Sequence, residues 1–161
     1  MDFKQAAPKI TDPKAGLAKA ENYCASQERS QQEVRNKLYD WGLYPKDIDQ
    51  IIGNLIENNF LNEERFAKAY AKGKFSQKGW GRIKIKQGLN LKKVPDVLIR
   101  KAMLVIDADD YLQTLEKTLV KKAALLTEKD TYKRRYKLQQ YAMGRGFEND
   151  LIADILKDSD L

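Results

Sequence analysis

Histidine is absent from the 161 residues and cysteine occurs once, as Cys24. These two shortages exclude disulfides within the chain, zinc sites built from Cys and His, and imidazole acid–base catalysis. Without an imidazole to form its thiolate, Cys24 has no obvious route to nucleophilic work, and its alanine-rich helical surroundings suit a small buried apolar residue. Gly-rich phosphate loops are missing too, because Gly79 and Gly81 stand in a basic loop that lacks the later glycine and the GK[ST] ending. Carboxylates are plentiful but scattered. Neighbours such as Glu63 with Glu64, and Asp109 with Asp110, point to different helix faces and suit acidic first turns better than a metal site or a glycosidase pair. No apolar run approaches the roughly 18 residues of a membrane span. The start MDFKQAAPKI lacks the basic-then-apolar pattern of a secretory signal. The expectation is a cytoplasmic protein with no catalytic activity, no cofactor, no metal and no membrane partner.

What is present in excess is positive charge, and its position says more than its total. The net charge is +7, with 30 basic and 23 acidic residues. From Lys72 to Lys101 there are ten basic residues and one acid, Asp96, so this stretch carries +9 and the other 131 residues sum to −2. Solvated helix faces normally intersperse both signs, so the missing acids point to a surface for an anionic partner. Its candidate residues are Lys72, Lys74, Lys78, Arg82, Lys84, Lys86, Lys92 and Lys93. Trp80 lies among them between two glycines, placed either to stack on a base or partner side chain, or to cover the core between two helices. A second group, Lys133, Arg134 and Arg135 with Lys137 and Arg145 nearby, reads equally as a solvated face or as a further part of that surface.

Apolar periodicity predicts the fold. Ile48, Ile51, Ile52, Leu55 and Ile56 follow the i, i+3, i+4, i+7, i+8 spacing of a helical stripe. The spacing returns in Ile99, Ala102, Met103 and Ile106, and again in Ile152, Ile155 and Leu156. Shifting the sequence by 51 residues lays Val34, Leu38, Leu43 and Ile48 on Ile85, Leu89, Val94 and Ile99, and a shift of 104 lays them on Leu138, Ala142, Phe147 and Ile152. A further helix precedes each pair: Pro13 to Gln27, Glu63 to Phe75, and Asp110 to Leu126. Punctuation agrees, with Asp12-Pro13 and a Ser30/Glu33 capping box as helix starts. Gly42 and Gly146 act as left-handed helix ends at equivalent positions. In the middle copy Lys93 stands there, which means a strained turn or an imperfect register. The alternation in Arg82-Ile83-Lys84-Ile85-Lys86 also fits a strand, but the repeat favours helix. The expected class is all-α: a tandem array of three three-helix repeats forming an elongated curved stack. Residues 1–14 are a tail, and the repeats occupy 15–60, 61–107 and 108–161.

Phe60-Leu61-Asn62-Glu63-Glu64-Arg65-Phe66-Ala67, followed by Lys78-Gly79 and Arg82-Ile83, resembles the signature of the RecX family. Arg29-Ser30 through Glu33, Leu38 and Trp41-Gly42 are similar to that family's first module. The resemblance runs from about Leu17 to Leu156, with Asn62 where aspartate is common, and asparagine caps a helix about as well. It implies a monomeric regulator of homologous recombination, DNA repair and the SOS response. Such a protein binds RecA filaments on single-stranded DNA and inhibits strand exchange and ATP hydrolysis, with double-stranded DNA a second candidate ligand. The competing class is a stand-alone helix-turn-helix-like DNA-binding module. Against it, Arg82 to Leu89 offers mainly lysines, and only Gln87 for bidentate base reading.

Overall fold

The structure, a computed structural model, describes residues 8–161. Among them are nine helices and no strand: α1 (Pro13–Ser26), α2 (Gln31–Trp41), α3 (Pro45–Glu57), α4 (Glu63–Lys78), α5 (Arg82–Leu91), α6 (Asp96–Met103), α7 (Ala108–Leu125), α8 (Thr131–Gly144) and α9 (Asn149–Lys157). No helix among the described residues is long and apolar enough to cross a membrane. Of the expected tail, residues 1–7 lie outside the described residues. Beyond them the chain is already tied down, since the Ile10 N–H donates to the Trp41 carbonyl at 2.6 Å and the Asp12 side chain caps α1.

The repeat recurs bond for bond at the turn after each middle helix. The backbone N–H of Leu43 donates to the Leu38 carbonyl, Val94 to Leu89, and Phe147 to Ala142, at 3.1, 3.2 and 3.2 Å. These are the residue pairs that the shifts of 51 and 104 superpose. The bond from the residue after a left-handed position back to the last turn is a Schellman closure. The left-handed residue is Gly42 at φ +109°, Lys93 at φ +57° and Gly146 at φ +98°. Lys93 therefore occupies a strained left-handed turn, and the register through it is sound. The third helix of each repeat opens in the same way, with the N–H of Ile48, Ile99 and Ile152 donating to the carbonyl four residues earlier.

The chain divides into two compact units, one ending at Phe66 and the other spanning Ala67–Leu161. In the first, α1, α2 and α3 enclose Ala20, Cys24, Val34, Leu38, Leu43, Ile48, Ile51, Ile52, Leu55 and Leu61. Burying aliphatic side chains of this size contributes about 1.5–3 kcal/mol each relative to exposure. Ile56, expected to complete the α3 stripe, is exposed, so the stripe ends at Leu55. Cys24 is buried, and burial pushes its thiol pKa up, against the pull of Arg29. At the start of α4, Asn62 caps the helix by accepting from the Arg65 N–H at 2.9 Å, and Arg65 pairs with Glu28. The Ser30/Glu33 capping box is formed in both directions.

In the second unit α7, α8 and α9 pack on one another and α5 packs on α6. Buried Ile85, Leu89, Val94, Ile99, Tyr111, Leu115, Leu119, Leu138, Phe147 and Ile152 form its interior. Three helices differ from their sequence-based bounds, α1 by stopping one residue short, at Ser26. The α4 helix runs through Gly73 and continues to Lys78, and α7 starts at Ala108, because Asp107 caps it by accepting from the Asp110 N–H, and ends at Leu125. The alternating Arg82-to-Lys86 segment is helical, with Ile85 buried and Ile83 facing water.

Candidate nucleic-acid interface

The basic stretch is carried by three helices of the second unit. The C-terminal half of α4 presents Lys72, Lys74 and Lys78. Next, α5 presents Arg82, Lys84 and Lys86, and Lys92 and Lys93 follow it. Lys72, Lys78, Lys86 and Lys93 are exposed, while Lys74, Arg82, Lys84 and Lys92 are half-buried. In α6, Arg100 and Lys101 stand in the last turn, where cations suit the helix dipole, and Asp96 in the first turn suits the opposite end.

The turn between α4 and α5 is built around Trp80. Its N–H closes back on the Lys74 carbonyl at 3.1 Å, and its half-buried ring lies under two ammonium groups, Lys74 Nζ at 4.9 Å and Lys84 Nζ at 4.6 Å from the centroid. Both distances are within cation–π range, so the ring gathers the two lysines beside it. Behind the turn, the Gly81 N–H donates to the Arg145 carbonyl at 2.8 Å and the Ile83 N–H to the Gly146 carbonyl at 3.0 Å. The guanidinium of Arg145 in turn donates to the Lys78 carbonyl. A Cβ on Gly81 would stand 2.3 Å from the Gly146 carbonyl, and one on Gly146 would stand 2.4 Å from Lys84 Cβ. Only glycine at both positions permits this approach.

Arg82 is engaged inward. Its guanidinium pairs with Glu148 Oε2 at 2.8 Å and stacks over the Tyr111 ring at 3.9 Å, and the side chain is 27% exposed. Tyr111, fully buried, accepts from the Arg82 backbone N–H at 3.0 Å and donates to Glu148 Oε1. Burial first, and the bond to Glu148 second, push the phenol well above its ordinary pKa. Its ring packs on Phe75 and Phe147, with centroids 5.9 and 5.2 Å away. This cluster positions α5. No feature of the sequence singles out Tyr111 or Glu148, because their partners lie 29 and 66 residues away along the chain.

The second basic group divides. Lys133 and Arg135 are exposed on α8. Arg134, expected among the surface residues, is a structural residue instead. Its guanidinium donates to the carbonyls of Ala123, Leu126, Glu128 and Leu161 at 2.7–3.3 Å, which satisfies the end of α7 and the loop after it. Among the described residues no group of three or more His, Cys, Asp or Glu side chains could hold a metal.

With this geometry in view, comparison with known proteins is unambiguous. Family models for the first, second and third three-helix domains of RecX match residues 17–55, 62–103 and 109–156. "Regulatory protein RecX" of Haemophilus influenzae (strain PittGG) is 30% identical over 136 residues, covering 84% of this chain and 88% of that protein. The protein of the same name from Prosthecochloris aestuarii is 29% identical over 148 residues, 92% of this chain and 95% of its own length. In fold, the chain is similar to the crystal structure of RecX from Lactobacillus salivarius, with a TM-score of 0.82 at 23% identity over 91% of this chain and 95% of that one. The chain belongs to the RecX family of regulatory proteins.

Proposed function

We propose that the protein binds RecA filaments assembled on single-stranded DNA and inhibits strand exchange and filament ATP hydrolysis, with the lysines of α4 and α5 forming the contact surface. Family membership supports the choice of partner. The observation that carries the surface is the nearly acid-free run from Lys72 to Lys101 across α4, α5 and α6, with Lys72, Lys78, Lys86 and Lys93 exposed. Lysine ammonium groups neutralise phosphates as point charges and release counterions. Each single-strand phosphate so contacted steepens the salt dependence of affinity by about 0.7 in log–log slope. Lys133 and Arg135 on α8 extend the surface within the same unit, and joining two sets of contacts through a fixed scaffold raises affinity without new chemistry. No covalent step is involved. Inhibition follows from occupying the filament.

The test is RecA ATPase on single-stranded DNA with this protein titrated in. Replacing Lys72, Lys78 and Lys86 together by glutamine should weaken inhibition more than tenfold and flatten the salt slope by about 2, from three lost phosphate contacts. Helix content by circular dichroism should be unchanged, since these side chains face water. Undiminished inhibition by the triple variant would place the surface elsewhere. A wild-type protein without effect on the ATPase would end the proposal.

A further inference from the structure

One face of α8 is not accounted for by the fold. The helix buries Leu138 and Ala142 and turns Arg134 and Arg145 toward the protein. On the side away from these, Tyr132 is 81% exposed and Tyr136, one turn on, is 57% exposed. Tyrosine carries a large apolar ring, so leaving two in water forgoes burial that the fold readily gives Tyr111. Isolated exposed aromatics are common, but side chains at i and i+4 are neighbours on a helix surface, about 5–6 Å apart at Cβ. The two side chains therefore leave the helix on one face. Their sequence neighbours Lys133, Arg135 and Lys137 are all exposed cations, with Lys137 loosely paired to Glu128 at 3.4 Å. The fourth cation of the run, Arg134, fastens the first turn of α8 to four carbonyls and so fixes where the rings stand.

We infer that Tyr132 and Tyr136 form a stacking platform for the unpaired bases of single-stranded DNA, with Lys133, Arg135 and Lys137 taking the adjoining phosphates. The inference rests on the reading that the basic surface binds single-stranded DNA, and it assigns the part of that site that touches bases. Aromatic rings next to cations are the usual means by which proteins hold single strands without reading sequence, because every base has a π-face. Along the axis of α8 (Thr131–Gly144), Tyr132 and the C-capping Arg145 are separated by a rise of about 20 Å, and Arg145 turns back toward the protein to bond the Lys78 carbonyl at the end of α4. The exposed cations beside the rings suit the anionic backbone of a single strand laid along this face.

The full chain is titrated by fluorescence anisotropy with two labelled probes, oligothymidylate of about 20 nucleotides, longer than a usual single-strand footprint, and an abasic oligomer of the same length. The wild type should prefer the thymidylate by about tenfold or more, since stacking contributes about fivefold or more per base. Tyr132→Leu/Tyr136→Leu should abolish that preference while leaving abasic binding and the salt slope as they were. The conservative Tyr132→Phe/Tyr136→Phe should keep it, because the ring and not the hydroxyl does the stacking. Equal, salt-dependent binding of both probes by the wild type, or a preference that survives the leucine variant, would overturn the platform and leave the basic surface standing. Absence of salt-dependent binding to either probe would instead overturn the surface on which it rests.

Discussion

Tyr111 is a single side chain on which three helices depend, and its contribution can be isolated with one atom. Tyr111→Phe keeps the ring beneath Arg82 and against Phe75 and Phe147, but it removes the acceptor of the Arg82 N–H and the donor to Glu148. Leaving buried polar groups without partners costs about 1–3 kcal/mol, so the urea midpoint should fall with the slope unchanged. A variant as stable as the wild type would mean the hydroxyl is dispensable. Glu63 makes the opposite case. Its Oε2 accepts from the Gln31 N–H at 3.1 Å, but Oε1 is buried without a hydrogen-bond donor among the described residues. Burial raises its pKa, with the Glu33 carboxylate adding to the rise and the Gln31 bond opposing it. A folded-state pKa above the ordinary value stabilises the protein at low pH, and that contribution is lost as pH rises through it. Glu63→Gln should therefore melt higher than the wild type at pH 7, with the gap closing as pH falls below the ordinary carboxylate range. Thermal melts at pH 7 and below that range decide it, and a variant less stable at pH 7 would show that the charge is favourable there.

At the scale of the element, most of the fold was legible because helix ends are local chemistry. Asp12, Ser30 with Glu33, and Asn62 cap as their types require. Gly42 and Gly146 close their helices in the left-handed conformation. The spacing and recurrence of apolar residues placed the second and third helix of each repeat, because one buried stripe per helix is what a small helical core needs. Local chemistry was ambiguous where two patterns overlapped. Arg82 to Lys86 alternates as a strand would, only because Ile83 happens to be apolar on the wet side. Lys93 offers a test of the turn itself. A non-glycine residue in the left-handed region costs about 1–2 kcal/mol, and glycine gives back about 0.5–1 kcal/mol through a looser unfolded chain. Lys93→Gly should thus stabilise the protein by about 0.5 kcal/mol despite the loss of a side chain. A drop in melting temperature would mean that the lysine stem contributes packing that outweighs the strain.

Across the whole molecule, the repeat and the cohesive units do not coincide. The match to the second three-helix domain begins at residue 62, but the division between compact units falls after Phe66, inside α4. Everything from Ala67 to Leu161 is one unit, tied through Gly81, Arg82, Tyr111 and Glu148. Native-state hydrogen exchange should accordingly find the amides of Ile85, Leu115 and Leu138 opening with one common free energy. A fragment ending at residue 107 should lose the α5 and α6 helices as well as the deleted ones. Independent exchange of α5 from α7 and α8 would contradict this. The same ties explain why the candidate surface was only partly readable. Charge density along the chain marked the lysines of α4 and α5, but whether a cation faces out depends on distant acceptors. Glu148 turns Arg82 inward, and the carbonyls at the end of α7 do the same to Arg134. Tyr132 and Tyr136 went unmarked in the sequence, because only the fold reveals that the protein leaves them uncovered.

The meeting of Gly81 and Gly146 has a consequence out of proportion to its chemistry. Neither residue has a charge or a side chain, but a single methyl group at either would collide with backbone or with Lys84 and prise the Trp80 turn from its seat. The lysines would keep their charges and lose their address. Damage at these two positions should therefore look, in a binding assay, like the loss of cations that are still there.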